Sequence, residues 1–171
     1  MFKSFLTMAF LAMSSVALPC VAAAADLAQP TDEVILSVTG SITSSNSEGA
    51  ANFDEAMLRA LGTVDISTST VWTDGVHTYT GVPLKTLVDA LGVTGESLSM
   101  FAVNDYKVEV PMSDAVEGGP ILAFEMDGKP MSLRDKGPIW LIYPFDTNSA
   151  YRSEEVYSRS IWQLARIEAK S

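Results

Sequence analysis

Two short stretches concentrate the residues able to do chemistry. Residues 72–79 read W-T-D-G-V-H-T-Y, placing a carboxylate (Asp74) and the chain's single histidine (His77) between two aromatic rings, Trp72 and Tyr79. A carboxylate can accept two adjacent N–H donors in bidentate fashion, an imidazole can donate or accept, and flat rings stack. From Asn104, the run N-D-Y sets Asp105 beside Tyr106. Asp74 and Asp105, with Glu125 behind them, are thus the candidate carboxylates, and Trp72, Tyr79, Tyr106, Trp140, Tyr143 and Trp162 the candidate stacking groups. Arg134, Lys136, Arg152 and Arg159 gather cationic charge between Ser132 and Ser160. Each feature has a plain alternative. Asp105 suits an ordinary turn, His77 an exposed loop, most of the aromatics a core, and the arginines surface pairs with Glu154 and Glu155.

The absences narrow the chemistry further. The one cysteine, Cys20, and the one histidine leave no soft ligand set for zinc or copper. Neither G-x-G-x-x-G nor G-x-x-x-x-G-K occurs, and no serine sits in a G-x-S-x-G setting, so phosphate-loop and nucleophile-elbow chemistry have no agent. No catalytic residue and no metal ligand is assigned. A formal net charge of −10 repels nucleic acid and anionic lipid.

Residues 1–25 read as a secretory signal peptide, with Lys3, an apolar run from Phe5 to Leu18, and Ala22 to Ala25 before the expected cleavage site. Pro19 before Cys20 argues against lipoprotein processing, and a periplasmic location is expected. Residues 26–171 are then one domain, without internal repeats.

The elements that must position the candidates read mainly as strands. β-branched and alternating runs predict strands over Val34–Ile42, Val64–Trp72, Leu98–Val103, Tyr106–Val110, Ile121–Met126, Ile139–Tyr143 and Ile161–Glu168. Asn104-Asp105 and Asp127-Gly128 are expected turns. Two short helices serve as props. In one, Asn52 caps and Glu55 completes a capping box, with Gly62 closing; the other starts at Pro83, carries Leu84, Leu87, Val88 and Leu91 on one face, and ends at Gly92. Pro144–Ser158 reads as a polar loop able to act as a lid. The class is α+β, β-dominated.

Five segments, in order, now carry a resemblance: W-T-D-G-V-H-T-Y-T-G-V-P-L from Trp72, N-D-Y-K-V-E-V-P from Asn104, I-L-A-F-E-M-D-G-K-P-M from Ile121, K-G-P-I-W-L-I-Y-P from Lys136, and W-Q-L-A-R-I-E-A from Trp162. Together they resemble the molybdopterin-binding domain of the sulfite oxidase superfamily, which implies a mixed-sheet fold with short helices. The resemblance implies a molybdenum-ligating cysteine just upstream of G-V-P-L, but Val64–Thr73 offers only Thr, Ser and Asp, and a hydroxyl is no substitute for a soft thiolate. Where those enzymes carry an Arg after G-x-P and the Lys of K-W-L, this chain has Trp140 and Trp162.

The chain is most similar to small periplasmic, non-catalytic pterin-binding proteins of that superfamily. This implies a reduced pterin such as monapterin as ligand, with Trp72, Asp74, His77, Tyr79, Asp105, Tyr106, Arg134, Tyr143, Arg152 and Arg159 as its candidate contacts. It also implies a partner: the periplasmic sensor domain of a membrane signalling protein, a cyclic-di-GMP enzyme or a histidine kinase. The alternatives are a molybdenum cofactor-dependent oxidoreductase or its accessory subunit, and a scaffold whose pocket has degenerated.

Overall fold

Runs of Thr, Val and Ile favour a pleated, half-buried backbone, and in the computed structural model, which describes residues 27–171, they build ten strands in two sheets. The signal peptide reading lies outside the described residues. The first sheet holds β1 (Leu36–Gly40), β2 (Ala50–Phe53), β5 (Ser97–Ala102), β6 (Lys107–Pro111) and β10 (Leu164–Lys170), in the order β2-β1-β10-β5-β6. Only β1 with β10 is parallel. The second holds β3 (Val64–Thr70), β4 (Thr73–Pro83), β7 (Ile121–Met126), β8 (Lys129–Pro130) and β9 (Trp140–Ile142). There β4 lies between β3 and β7, and both β8 and β9 pair with β7.

Side-chain alternation along β7 and β9 explains why the second sheet is buried on both faces. Leu122, Phe124 and Leu141 join the main core between the sheets, while Ile121, Ala123, Trp140 and Ile142 point the other way into a smaller cluster with Tyr79 and Met131. Trp72 packs against both clusters. Gly81, in the T-G-V-P run, sits where β4 passes so close to β7 that a Cβ would collide with the Leu122 carbonyl oxygen. The glycine of that motif is a packing requirement.

Three α-helices occur among the described residues: α1 (Glu55–Ala60), α2 (Leu84–Leu91) and α3 (Glu154–Arg159). Spacing of i, i+3, i+4 and i+7 buries Leu84, Leu87, Val88 and Leu91 of α2, an upper limit of about 1.5–3 kcal/mol each. Its end is fixed by Gly92 in the left-handed conformation (φ 57°), as the sequence predicts. Pro83 is the residue before α2 and the last of β4, one position earlier than expected.

Two expectations need correction. Asn52 is no helix cap: it lies in β2 opposite Ser37, and its amide N–H donates to Asn46 Oδ1 at 2.8 Å. The cap of α1 is Asp54, whose Oδ1 accepts from Met57 N and whose Oδ2 accepts from Thr31 N, each at 2.8 Å. The stretch 144–158 is also not a plain loop. Ser153 Oγ accepts from Val156 N at 3.3 Å and opens α3, which has acids in its first turn and Arg159 in its last.

Candidate functional site

Three segments distant in sequence meet at one end of the two sheets and enclose a cavity of about 560 Å³. The turn from β3 to β4 supplies Val71 and Trp72; the end of β5 and its turn into β6 supply Ala102, Asn104 and Tyr106; and α3 with the following residues supplies Tyr157, Ser158, Ser160, Ile161 and Trp162. No side chain in this lining carries a formal charge. Its hydrogen-bonding groups are an amide, hydroxyls and indole N–H groups.

Trp72 is the hub of the aromatic wall. Its ring meets Trp140, Tyr157 and Trp162 edge-to-face at centroid distances of 5.7, 5.8 and 5.9 Å, the arrangement that ring quadrupoles prefer. Behind it, Trp140 is fully buried and donates from Nε1 to the Ser160 carbonyl oxygen at 3.1 Å, locking the end of α3 to β9. Trp162 remains 39% exposed at the mouth. The ammonium of Lys136 sits over both indoles, 5.3 Å from the centre of Trp140 and 4.8 Å from that of Trp162. The indoles that stand where the resemblance expects cations are therefore themselves covered by a cation from the turn before β9.

Of the ten expected contact residues, Trp72 and Tyr106 line this cavity. The other eight do not, each for an identifiable reason. Asp105 adopts φ 66° and turns its carboxylate outward onto Arg166 at 2.7 Å. Asp74 is exposed on β4, where its backbone carbonyl accepts from His77 Nε2 at 3.0 Å. His77 Nδ1 meets Asp127 Oδ2 at 2.7 Å, tying β4 to the β7–β8 turn on the outer face. Tyr79 is fully buried with its ring 5.6 Å from Trp140, and burial raises its hydroxyl pKa. Tyr143 is also fully buried and donates to Asp114 Oδ2 at 2.7 Å; desolvation pushes its pKa far up, so it stays a neutral structural donor.

The cations are occupied or remote. Arg159 pairs with Asp114 at 3.0 Å and with Glu155, and so braces α3 against the segment after β6. Arg152 donates to the Phe145 carbonyl oxygen and pairs with Asp146 at 3.0 Å. Arg134 is exposed on the turn before β9. Glu125, the reserve carboxylate, pairs with Arg59.

The W-T-D-G-V-H-T-Y segment is itself not a broad turn: β4 begins at Thr73, leaving only Val71 and Trp72 at the reversal. Asn104, Tyr157, Ser158 and Ser160 escaped the sequence reading. Asn104 looks like a turn former and is one, since its Oδ1 accepts from Tyr106 N at 3.2 Å, but its amide also faces the cavity. Tyr157 rides on α3, whose Ser-Glu-Glu-Val start is a legible cap signal.

Residues 44–150 match the oxidoreductase molybdopterin binding domain. The chain belongs to that family. It is also similar in structure to the sulfane dehydrogenase SoxCD from Paracoccus pantotrophus, with a TM-score of 0.59 and 18% identity over 79% of this chain. This chain spans 37% of that SoxCD chain. No curated protein matches. Family and fold together establish a molybdopterin-binding, oxidoreductase-like domain of the sulfite oxidase type, as the resemblance implies. The family match ends before α3, so five of the cavity's lining residues, from Tyr157 to Trp162, lie beyond it.

Proposed function

We propose that this chain is an exported receptor for a free reduced pterin, such as a tetrahydromonapterin, that uses the ring-binding part of a molybdopterin fold without its metal chemistry. One observation carries the reading: the cavity offers indole and phenol faces, neutral donors and no charged lining residue. Such a lining matches a flat, neutral heterocycle with carbonyl, amino and ring-nitrogen groups. It does not match the remainder of a molybdenum cofactor. No cysteine occurs among residues 27–171 to ligate a metal, and the lining presents no cation to a phosphate.

The pyrimidinone edge of a pterin pairs donor against acceptor. An amide such as Asn104, with one Oδ1 lone pair used by Tyr106 N and both Nδ2 hydrogens free, serves that edge as a neutral partner. Trp72, Tyr106, Tyr157 and Trp162 supply the stacking faces. The acidic, signal-bearing sequence supports a periplasmic setting, and the partner would be the sensor domain of a membrane cyclic-di-GMP enzyme or histidine kinase that responds to occupancy.

The deciding experiment is mass spectrometry of small molecules released from protein purified from the periplasm of a molybdenum cofactor-competent host, with metal analysis of the same sample. A reduced pterin near one per chain, without molybdenum, is the expected result. Stoichiometric molybdenum would replace this reading with the oxidoreductase, and failure to bind added tetrahydromonapterin would leave a scaffold.

A further inference from the structure

Nine large hydrophobic side chains are exposed among the described residues, and they are not scattered evenly. Val71, Tyr106 and Trp162 line the cavity mouth, and two more adjoin it. Val103 N donates to the Gln163 carbonyl oxygen at 2.9 Å, and Gln163 Nε2 donates to the Leu133 carbonyl oxygen at 2.8 Å, so Val103 and Leu133 flank the Trp162 edge of the opening. Both are about half exposed, at 50% and 51%. A contiguous apolar rim of this kind on an acidic, otherwise polar surface marks a contact site.

Charge gives the rim a direction. Among the described residues most cations are engaged in ion pairs; Lys129, Arg134 and Lys136 have no carboxylate partner, and the last two stand beside Leu133. The adjacent Asp135 carboxylate accepts from Ser132 Oγ at 2.7 Å. Backbone geometry singles out the same place: Asp105, Lys136 and Gln163 are three of the four non-glycine residues with positive φ. Non-glycine residues held in the left-handed region cluster at ligand clamps and switch regions.

We infer that this rim is the docking surface for a partner protein, which covers the cavity mouth with a segment of apolar side chains flanked by carboxylates. The apolar groups would lie on Val103, Leu133, Tyr106 and Trp162, and the carboxylates would meet Lys136 and Arg134. An anionic membrane is disfavoured by the net charge of −10, and a second copy would bring the same net charge and the same unpaired cations. This inference deepens the receptor reading and rests on it for one point only: because Tyr106 and Trp162 belong to both surfaces, occupancy of the cavity would be felt by the partner.

A phage-displayed random 12-residue peptide library, panned against the whole domain, tests the surface without knowledge of the partner. Enriched peptides should combine aromatic or aliphatic residues with Asp or Glu. They should bind at least tenfold more weakly to Leu133→Asp and to Lys136→Glu, with folding of both variants confirmed by circular dichroism. The inference is overturned by failure to enrich, by peptides that bind both variants as well as the parent, by a dimer in light scattering that Val103→Asp dissolves, or by binding to phosphatidylglycerol vesicles. Leu133 does not line the cavity, so Leu133→Asp should keep tetrahydromonapterin affinity within twofold. Loss of peptide binding alone therefore speaks about the rim, and loss of pterin binding in the parent speaks about the receptor.

Discussion

The exchange of roles between two neighbours, Asp105 and Asn104, is decided by a single backbone angle. With φ at 66°, Asp105 leaves the cavity side and pairs with Arg166 on the exposed face, while Asn104 keeps its amide in the lining. Replacing Asn104 by Ala should therefore weaken tetrahydromonapterin binding by roughly tenfold, about 1.4 kcal/mol, the scale of one neutral hydrogen-bonding group lost. Asp105→Asn should change it by less than twofold in calorimetric titration. The reverse order of effects would return the pterin edge to Asp105.

His77 supports a second expectation at this scale. Its two ring nitrogens face a carboxylate and a backbone carbonyl, both pure acceptors, an arrangement that favours the protonated ring, which alone can donate from both nitrogens. The hydrogen bond to Asp127 raises the His77 pKa above the ordinary imidazole value, and the same bond lowers that of Asp127 below the usual carboxylate range. The histidine's contribution is fully present below its unfolded pKa and fades as pH rises through the folded one; the aspartate's is present above its unfolded pKa and fades as pH falls. The clasp is strongest in the window between those limits. NMR titration of His77 should give a pKa above 6.5 that returns toward the unperturbed value in Asp127→Asn, and an unchanged pKa in that variant would break the link.

At the scale of elements, most strands were legible because β-branched alternation and sheet pairing agree. The D-G turn between β7 and β8 reads directly from residues 127–128, both with positive φ. Legibility failed where a tertiary partner decides. Asn52 and Asp54 are equally good cap types, and only the pairing of β2 with β1 takes Asn52 out of contention. α3 buries a single hydrophobic residue, Val156, over six residues, too little to show a helical period. The cavity was half legible: Trp72, Tyr106 and Trp162 stood out as aromatics, but that they meet is a property of three chain segments no local pattern links.

Asp54 also shows what one carboxylate contributes to an element. Backbone N–H groups of Met57 and Thr31 are its main partners and hold its pKa below the usual carboxylate range. The sign is that of a depressed acid: the stabilisation is present above the unfolded pKa and lost as pH falls through the folded one. Asp54→Ala should lower the thermal midpoint at pH 7 by roughly 3–8 °C, with the gap from the parent closing at strongly acid pH. A gap that persists at acid pH would mean that packing around Asp54, and not its charge, stabilises α1.

At the scale of the whole molecule, all three tryptophans of the chain, Trp72, Trp140 and Trp162, stand in one cluster beside the cavity. Intrinsic fluorescence is thus a report on the site alone. A stacked pterin should quench more than about half of it, because no tryptophan sits elsewhere as background. The same titration separates a neutral ligand from an anionic one. The net charge of −10 surrounds the cavity with a field that a neutral pterin does not feel and a phosphorylated pterin does, and added salt shortens the Debye length from about 30 Å at 0.01 M to about 3 Å at 1 M. Quenching by tetrahydromonapterin should therefore give the same affinity at low and high salt, within a factor of two. A strong salt dependence would instead show that the bound form carries charge, and would point to the unpaired ammonium of Lys136 over Trp162 as its partner.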